Sequence, residues 1–243
     1  MASPLAQFEI KEIFPLEFAG FNLSFTNSAL TMLLSMAVIL TTLYIGLKKT
    51  TIIPNKVQSI IELSYEFIGG MINDNIGDEG KKYLPFVFTL FFFILIGNLI
   101  GMLPFSFTWT SHIIVTFAIS FFIFLAVTLI AIYKHGLIKF LCFFAPSGVP
   151  KPMLLLLVPI EIISYISRPI SLSVRLFANM MAGHTMMKVF GGFVISLGII
   201  GGWLPLSFSV ALTGLEILVA FLQAYVFAIL TCIYLNDALN LHH

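Results

Sequence analysis

The residues of this sequence best suited to chemistry are ionisable side chains set in apolar surroundings. Glu161, Arg168 and Arg175 recur at intervals of seven. At about 100° per residue, an α-helix would bring all three within about 40° of one another. They therefore form one charged stripe on one helix face.

A second stripe follows in the next apolar stretch. Ser209, Thr213, Glu216, Ala220 and Gln223 fall on one helical face, and Glu216 and Gln223 are again seven apart. The two stripes would come from the two arms of a hairpin. An arginine at the centre of a membrane helix costs about 2.5 to 3.5 kcal/mol even on the mildest scale, so such groups indicate function.

Small and polar residues border the first stripe: Ser164, Ser167, Ser171, Ala178 and Ala182. Small residues at this spacing let a neighbouring backbone approach closely. Ordinary helix packing would explain them alone, but the charges beside them favour a functional face.

The charges of the hairpin do not balance. Its ionised side chains are Arg168, Arg175, Lys188, Glu161 and Glu216, with His184 neutral. An arginine cannot lose its proton to escape the membrane interior. We therefore expect Arg175 to face a carboxylate of another chain, and a static pair with Glu216 across the hairpin is the alternative.

His184 is the side chain of this region that can exchange protons near neutrality, and Glu161 and Glu216 could relay them. It follows Arg175 by nine residues, which places it on the opposite side of a straight helix. Either the helix bends near Gly183, or His184 faces the protein body while Arg175 faces a partner. A purely structural histidine is the competing interpretation.

Composition sets the class of protein. Of 243 residues, 59% are apolar and 9% charged, and the mean hydropathy is +1.06; soluble proteins have about 25% charged residues. This excludes a soluble or disordered chain, nucleic-acid binding and a disulfide scaffold. Cys142 and Cys232 have no metal or redox spacing, so we expect no metal and no cofactor.

The elements that position the stripes are membrane helices. We predict an all-α integral membrane protein forming a single domain over residues 1–243, with an outside segment at 1–27 and an interfacial amphipathic helix at 54–76. Five apolar segments are long enough to cross a core of about 30 Å: 28–47, 84–103, 112–133, 152–188 and 204–236. The last two exceed that thickness, so they form a strongly tilted hairpin, a shape suited to wrapping around a cylindrical neighbour.

Basic residues predict the orientation. One compartment receives Lys48, Lys49, Lys56, Lys81, Lys82, Lys134, Lys139 and Lys151, and the other only Lys11 and Lys188. By the positive-inside rule, the N-terminus lies outside and the C-terminus inside. The interfacial helix, with Glu62 and Glu66 one turn apart, either anchors at the lipid surface or docks a soluble or stalk subunit.

Four segments closely resemble subunit a of the rotary (F-type) ATP synthase membrane sector, in its alphaproteobacterial and mitochondrial branch. They are P-I-S-L-S-V-R-L-F-A-N-M-M-A-G-H (169–184), G-N-L-I-G-M-L-P-F-S-F-T-W-T-S-H (97–112), E-I-I-S-Y-I-S-R-P (161–169) and L-Q-A-Y-V-F-A-I-L-T-C-I-Y-L (222–235). The first is the most specific, and the resemblance extends over nearly the whole chain after about residue 5.

The resemblance implies a proton-conducting stator subunit of an energy-coupling inner membrane, without ATP chemistry of its own. Its implied partners are a ring of c subunits, subunit b of the peripheral stalk and the lipid bilayer, within a hetero-oligomeric complex. The implied proton-translocating residues are Arg175 as the essential arginine, Gln223 opposite it, His184 and Glu216 in the outward half-channel, Glu161 in the inward one, and Asn179 and Asn98 near the path. The implied ring-facing residues are Arg168, Ser171, Arg175, Ala178, Ala220 and Gln223.

Two points remain open at the level of sequence. Asn98 either lines a hydrated cavity or bonds a neighbouring helix, and the stretch after it lacks the acid that some bacterial relatives carry. A stand-alone secondary transporter or ion channel is the alternative function. It predicts internal repeats, but the first two apolar segments hold no counterpart of the Glu161, Arg168, Arg175 series.

Overall fold

The computed structural model describes residues 9–15, 17–18, 21–22, 24–48, 53–103, 106–143 and 151–240. Its helices are α1 (Asn27–Leu47), α2 (Lys56–Asn75), α3 (Leu84–Gly101), α4 (Ile113–His135), α5 (Leu137–Phe143), α6 (Lys151–Gly201) and α7 (Trp203–Leu239). Short 3-10 turns at Asp78–Tyr83 and Trp109–Ser111 precede α3 and α4. The predicted all-α class is confirmed.

Short strands precede α1. β1 (Glu12–Phe14) pairs antiparallel with β4 (Phe25–Thr26), and β2 (Glu17–Phe18) pairs with β3 (Phe21–Asn22). Thr26 then caps the helix, because its hydroxyl accepts a hydrogen bond from the backbone N–H of Ala29. The sequence analysis predicted no strands in this segment.

Five helices of the described chain are long and apolar enough to cross a membrane: Asn27–Leu47, Asp78–Gly101, Ile113–His135, Met153–Gly198 and Trp203–Leu239. The predicted number of spans is confirmed. The fourth continues ten residues past the predicted end at 188 and breaks at Gly198, whose φ is 60°. Its 46 residues reach about 70 Å, roughly twice the thickness of a hydrocarbon core, so this helix must cross at a steep incline or extend beyond it.

Helix α7 organises the packing. It contacts α2, α3, α4 and α6, and the small side chains of Ala224 and Ala228 allow those neighbours to come close. The C-terminal half, from Gln223 to Leu239, is largely buried, whereas the half from Trp203 to Leu222 is largely exposed. The hairpin is therefore anchored at one end and presents the other to its surroundings.

Helix α2 confirms the predicted amphipathic helix but distributes its apolar residues over two faces. Ile68 and Ile72 are buried in the core, and the Phe67 ring lies 5.9 Å from that of Tyr225. Ile60 and Leu63 are exposed. One apolar face thus holds α2 on the bundle, and another stays open to lipid or a further subunit.

The loop before α4 is held by a glycine. Trp109 is 0% exposed and its ring packs on Gly97, where an added Cβ would lie 2.7 Å from the indole Cε2 and nearer still to Cζ2. Gly101 packs in the same way on Thr108. Gly97 and Gly101, on either side of Asn98, therefore provide the space in which the loop 106–112 of the same chain packs.

We predict that Gly97→Ala destabilises the protein by about 1 to 3 kcal/mol, the usual range for overpacking, because the indole cannot move away within a filled site. Gly70→Ala is the matched control, since nothing lies within 4 Å of the added methyl group. Thermal unfolding of the detergent-purified protein measures both. Equal melting temperatures for the two variants would contradict this packing.

Candidate functional site

A histidine and a glutamate meet between α6 and α7. His184 Nε2 lies 3.7 Å from Glu216 Oε1 and 3.2 Å from the Thr108 hydroxyl oxygen. His184 is 7% exposed and Glu216 5%. Gly183 permits the approach, because a Cβ there would lie 2.7 Å from Glu216 Oε1.

The Glu216 carboxyl group receives little stabilisation from the polar groups around it. Neither oxygen accepts a hydrogen bond from the described residues. A carboxylate in such a place is costly while ionised, and a nearby imidazole can take or return its proton. The pair therefore has the composition of a proton-exchange site.

Amide side chains continue the polar line along the same interface. Asn179 Nδ2 donates to Gln223 Oε1 at 2.8 Å, and Asn98 Nδ2 lies 3.5 Å from the Ala220 carbonyl oxygen, at the limit of a hydrogen bond. Asn98 Oδ1 and Gln223 Nε2 are buried without a hydrogen-bond partner among the described residues. Asn98 thus makes a long helix-to-helix contact through Nδ2, and its role in a proton path stays a prediction.

Arg175 lies on the other side of α6 from His184. Its side chain is exposed, as are Ser171 and Ala178, and α6 runs helically through Gly183 to its break at Gly198. Of the two geometries that the sequence left open, the helix therefore needs no bend near Gly183. The static pair with Glu216 is not formed.

The register of the two helices explains why Arg175 has no acidic partner on α7. The contacts Asn179–Gln223 and Arg168–Asp237 bracket it, so its level on the antiparallel α7 is that of Phe227 and Ala228, which are apolar and buried. Within the described residues, Arg175 makes no ion pair with any acid.

Arg168, in contrast, is matched within the chain. Its guanidinium donates to Asp237 Oδ2 at 2.9 Å and lies 5.2 Å and 4.8 Å from the ring centres of Tyr165 and Tyr234. Tyr165 is held in turn by Thr128 of α4, at 2.7 Å. Sequence analysis missed Asp237 as a partner, although an acid ending an apolar helix was the available signal.

The remaining predicted site residues differ in how exposed they are. Glu161 is half-buried and forms no ion pair within the described chain. Ala220 is 0% and Gln223 2% exposed, which differs from the prediction that they face another chain. Asn98 of α3 contacts Ala220, and Asn179 of α6 contacts Gln223. Among the residues that the structure describes, no cluster of three or more histidine, cysteine or acidic side chains could hold a metal.

The chain is similar in sequence to proteins of one known family. Residues 29–236 match the family described as ATP synthase A chain. The chain is 63% identical to ATP synthase subunit a of Pelagibacter ubique over 242 residues, covering 99% of both chains. It is 53% identical to ATP synthase subunit a of Rhodospirillum rubrum, covering 100% of both, and 54% identical to that of Allorhizobium ampelinum, covering 98% of this chain and 97% of the relative.

We predict that Asp237→Asn lowers the free energy of unfolding by about 1 kcal/mol. The loss leaves the half-buried Arg168 without its counter-charge, and partial exposure of both groups limits the effect. Asp78→Asn is the matched control, because its pair with Lys81 is fully exposed and its loss should not change the melting temperature. Thermal unfolding in detergent compares them, and an unchanged melting temperature for Asp237→Asn would show that the half-buried pair contributes nothing to stability.

Proposed function

The chain belongs to the ATP synthase A chain family, and from that premise we propose that it is the stationary subunit through which protons reach and leave a rotating ring of c subunits. ATP synthesis and proton transport are the role of this family, and its members work in a hetero-oligomeric membrane complex. The finer assignment concerns which residues conduct and which face the ring.

One observation carries the proposal: a permanently charged guanidinium is exposed on a membrane helix and forms no ion pair with an acid among the described residues of its own chain. Arg175 lies at the middle of the span Met153–Gly198, where an unmatched charge is most costly. Ser171 and Ala178 beside it are small enough for another helix to come close. A carboxylate on a ring of c subunits would supply the counter-charge. Rotation of the ring would then replace that carboxylate with the next one.

The two proton paths would lie on opposite sides of this arginine. Glu161 precedes Arg175 by fourteen residues, or about 21 Å of helix, and His184 follows it by nine, or about 14 Å. Protons would enter by Glu216 and His184 and neutralise a ring carboxylate, which could then turn into lipid. After nearly a full turn it would release its proton near Glu161.

Arg175 would prevent a direct route between the two paths. Its fixed charge repels protons and attracts the incoming deprotonated carboxylate, so current passes only with rotation. Each charge that crosses the membrane provides about 2.3 kcal/mol per 100 mV. This energy would drive rotation of the ring, and the soluble sector would use the resulting torque to make ATP. On this chain, the only bonds made and broken would be those to the transferred protons.

The orientation and the stalk contact are parts of the same proposal. Lys82 and Lys134 lie at neighbouring ends of α3 and α4, because Lys134 pairs with Glu79 just before α3. This grouping supports an inner location for those ends and for the C-terminus. The exposed face of α2, with Ile60 and Leu63, provides a surface for subunit b.

We predict that Arg175→Ala abolishes ATP-driven proton pumping and permits a passive leak, because the barrier between the two paths is lost. Val174→Ala is the matched control, since Val174 is the adjacent residue and is also exposed. Quenching of a pH-sensitive dye in inverted vesicles measures pumping, and the amount of assembled complex is measured on the same membranes. Unchanged pumping by Arg175→Ala would contradict the assigned role, and transport by this chain without c subunits would favour a stand-alone transporter.

We predict that Glu216→Gln slows passive proton conduction through the membrane sector by about a hundredfold, the lower range for loss of a proton-transfer group. Exchanging the pair, with His184→Glu and Glu216→His together, should restore part of it because the same two groups still meet. Thr213→Val, one turn away on α7, serves as the control. Conduction by Glu216→Gln at the control rate would remove this carboxyl group from the path.

A further inference from the structure

A cavity of about 480 Å³ opens where the N-terminus of α3 lies beside the C-termini of α4 and α7. The proposed proton-path residues do not line it. Its walls include Lys82 and Tyr83 just before α3, Leu129 and Lys134 near the end of α4, and Glu79. This volume is within the range of small-molecule sites, and neither the fold nor the proposed function gives it a role.

One of the two lysines that line the cavity forms no ion pair with an acid among the described residues. Glu79 pairs with Lys134, and Asp78 pairs with Lys81, neither of which lines the cavity. Lys82 makes no ion pair within the described part of the chain. Two lysines against one carboxylate therefore leave the cavity with a net positive charge, which suits a phosphate group.

The walls change from charged to apolar over about 8 Å. Leu129 precedes Lys134 by five residues of α4 and, like Ile130, belongs to the apolar part of that span. Tyr133 also lines the cavity and is 95% exposed, and tyrosine is enriched at the level of lipid headgroups. A ligand that fits both walls has a negative head and an apolar tail.

We infer that this cavity binds an anionic phospholipid, with the phosphate at Lys82 and Lys134 and an acyl chain along Leu129 and Ile130. Basic pockets between membrane helices are the usual sites for such headgroups. A free phosphate would satisfy the lysines but leave the apolar wall exposed. The lipid would fasten the ends of α3 and α4 to the C-terminal end of α7.

Photo-crosslinking with a phosphatidylglycerol carrying a reactive acyl chain tests this inference on the assembled complex in nanodiscs. Labelled peptides are identified by mass spectrometry. We expect labelling at Leu129–Lys134, a fall of about fivefold in Lys82→Gln and recovery in Lys82→Arg. Lys81→Gln is the matched control, because Lys81 is adjacent but does not line the cavity.

Other results would overturn the inference. Equal labelling by a phosphatidylcholine probe would show that the site does not select a negative headgroup. Displacement of the probe by millimolar glycerol 3-phosphate would indicate a soluble phosphate as the occupant. Absence of labelling, or crosslinks from these residues to another subunit, would mean that protein fills the cavity. Retained labelling in Lys82→Gln would remove the lysine from recognition.

Discussion

The structure depends on how each fixed charge at membrane depth is balanced. Arg168 has Asp237 and two aromatic rings around it, so its charge is satisfied by the fold. Arg175, two turns further along the same helix, has no acid of the described chain within reach. The same residue type at the same helical position thus serves as an anchor in one place and is left for a partner in the other. The difference arises from α7, which ends in an acid opposite the first arginine and is apolar opposite the second.

Close packing of the hairpin follows from small residues at its contact points. Gly183 brings Glu216 against α6, and Ala220, Ala224 and Ala228 let neighbouring helices cover α7. These contacts fix the antiparallel register, which decides which polar groups meet. A bulkier residue at Gly183 would push the carboxyl group away from the imidazole, so positioning of the pair is a property of the backbone contact as much as of the two side chains.

The sequence predicted what depends on one helix and failed where a second helix decides. The five spans and the seven-residue recurrence of charges need only composition and the period of a helix. That Ala220 and Gln223 are buried could not be predicted, because a helical wheel places residues on a common face without showing what covers that face. Asp237 was missed as the partner of Arg168 for the same reason, since 69 residues separate them. Helix α6 continues past Lys188 because one charged side chain can reach the surface without ending a helix.

Placing His184 and Arg175 on opposite faces of α6 has a mechanical consequence. In the proposed function, a proton accepted at His184 and Glu216 has to pass from the interior of the hairpin to the surface that faces the ring. The hydrogen bond between Asn179 and Gln223 lies between those two levels, and the amide nitrogen of Gln223 remains without a partner among the described residues. Amides do not titrate, so they can orient water or a carboxyl group without trapping a proton. A polar but uncharged stretch between the exchange pair and the arginine would keep the proton moving toward the ring, whereas an ionisable group there would compete with the ring carboxylate for it.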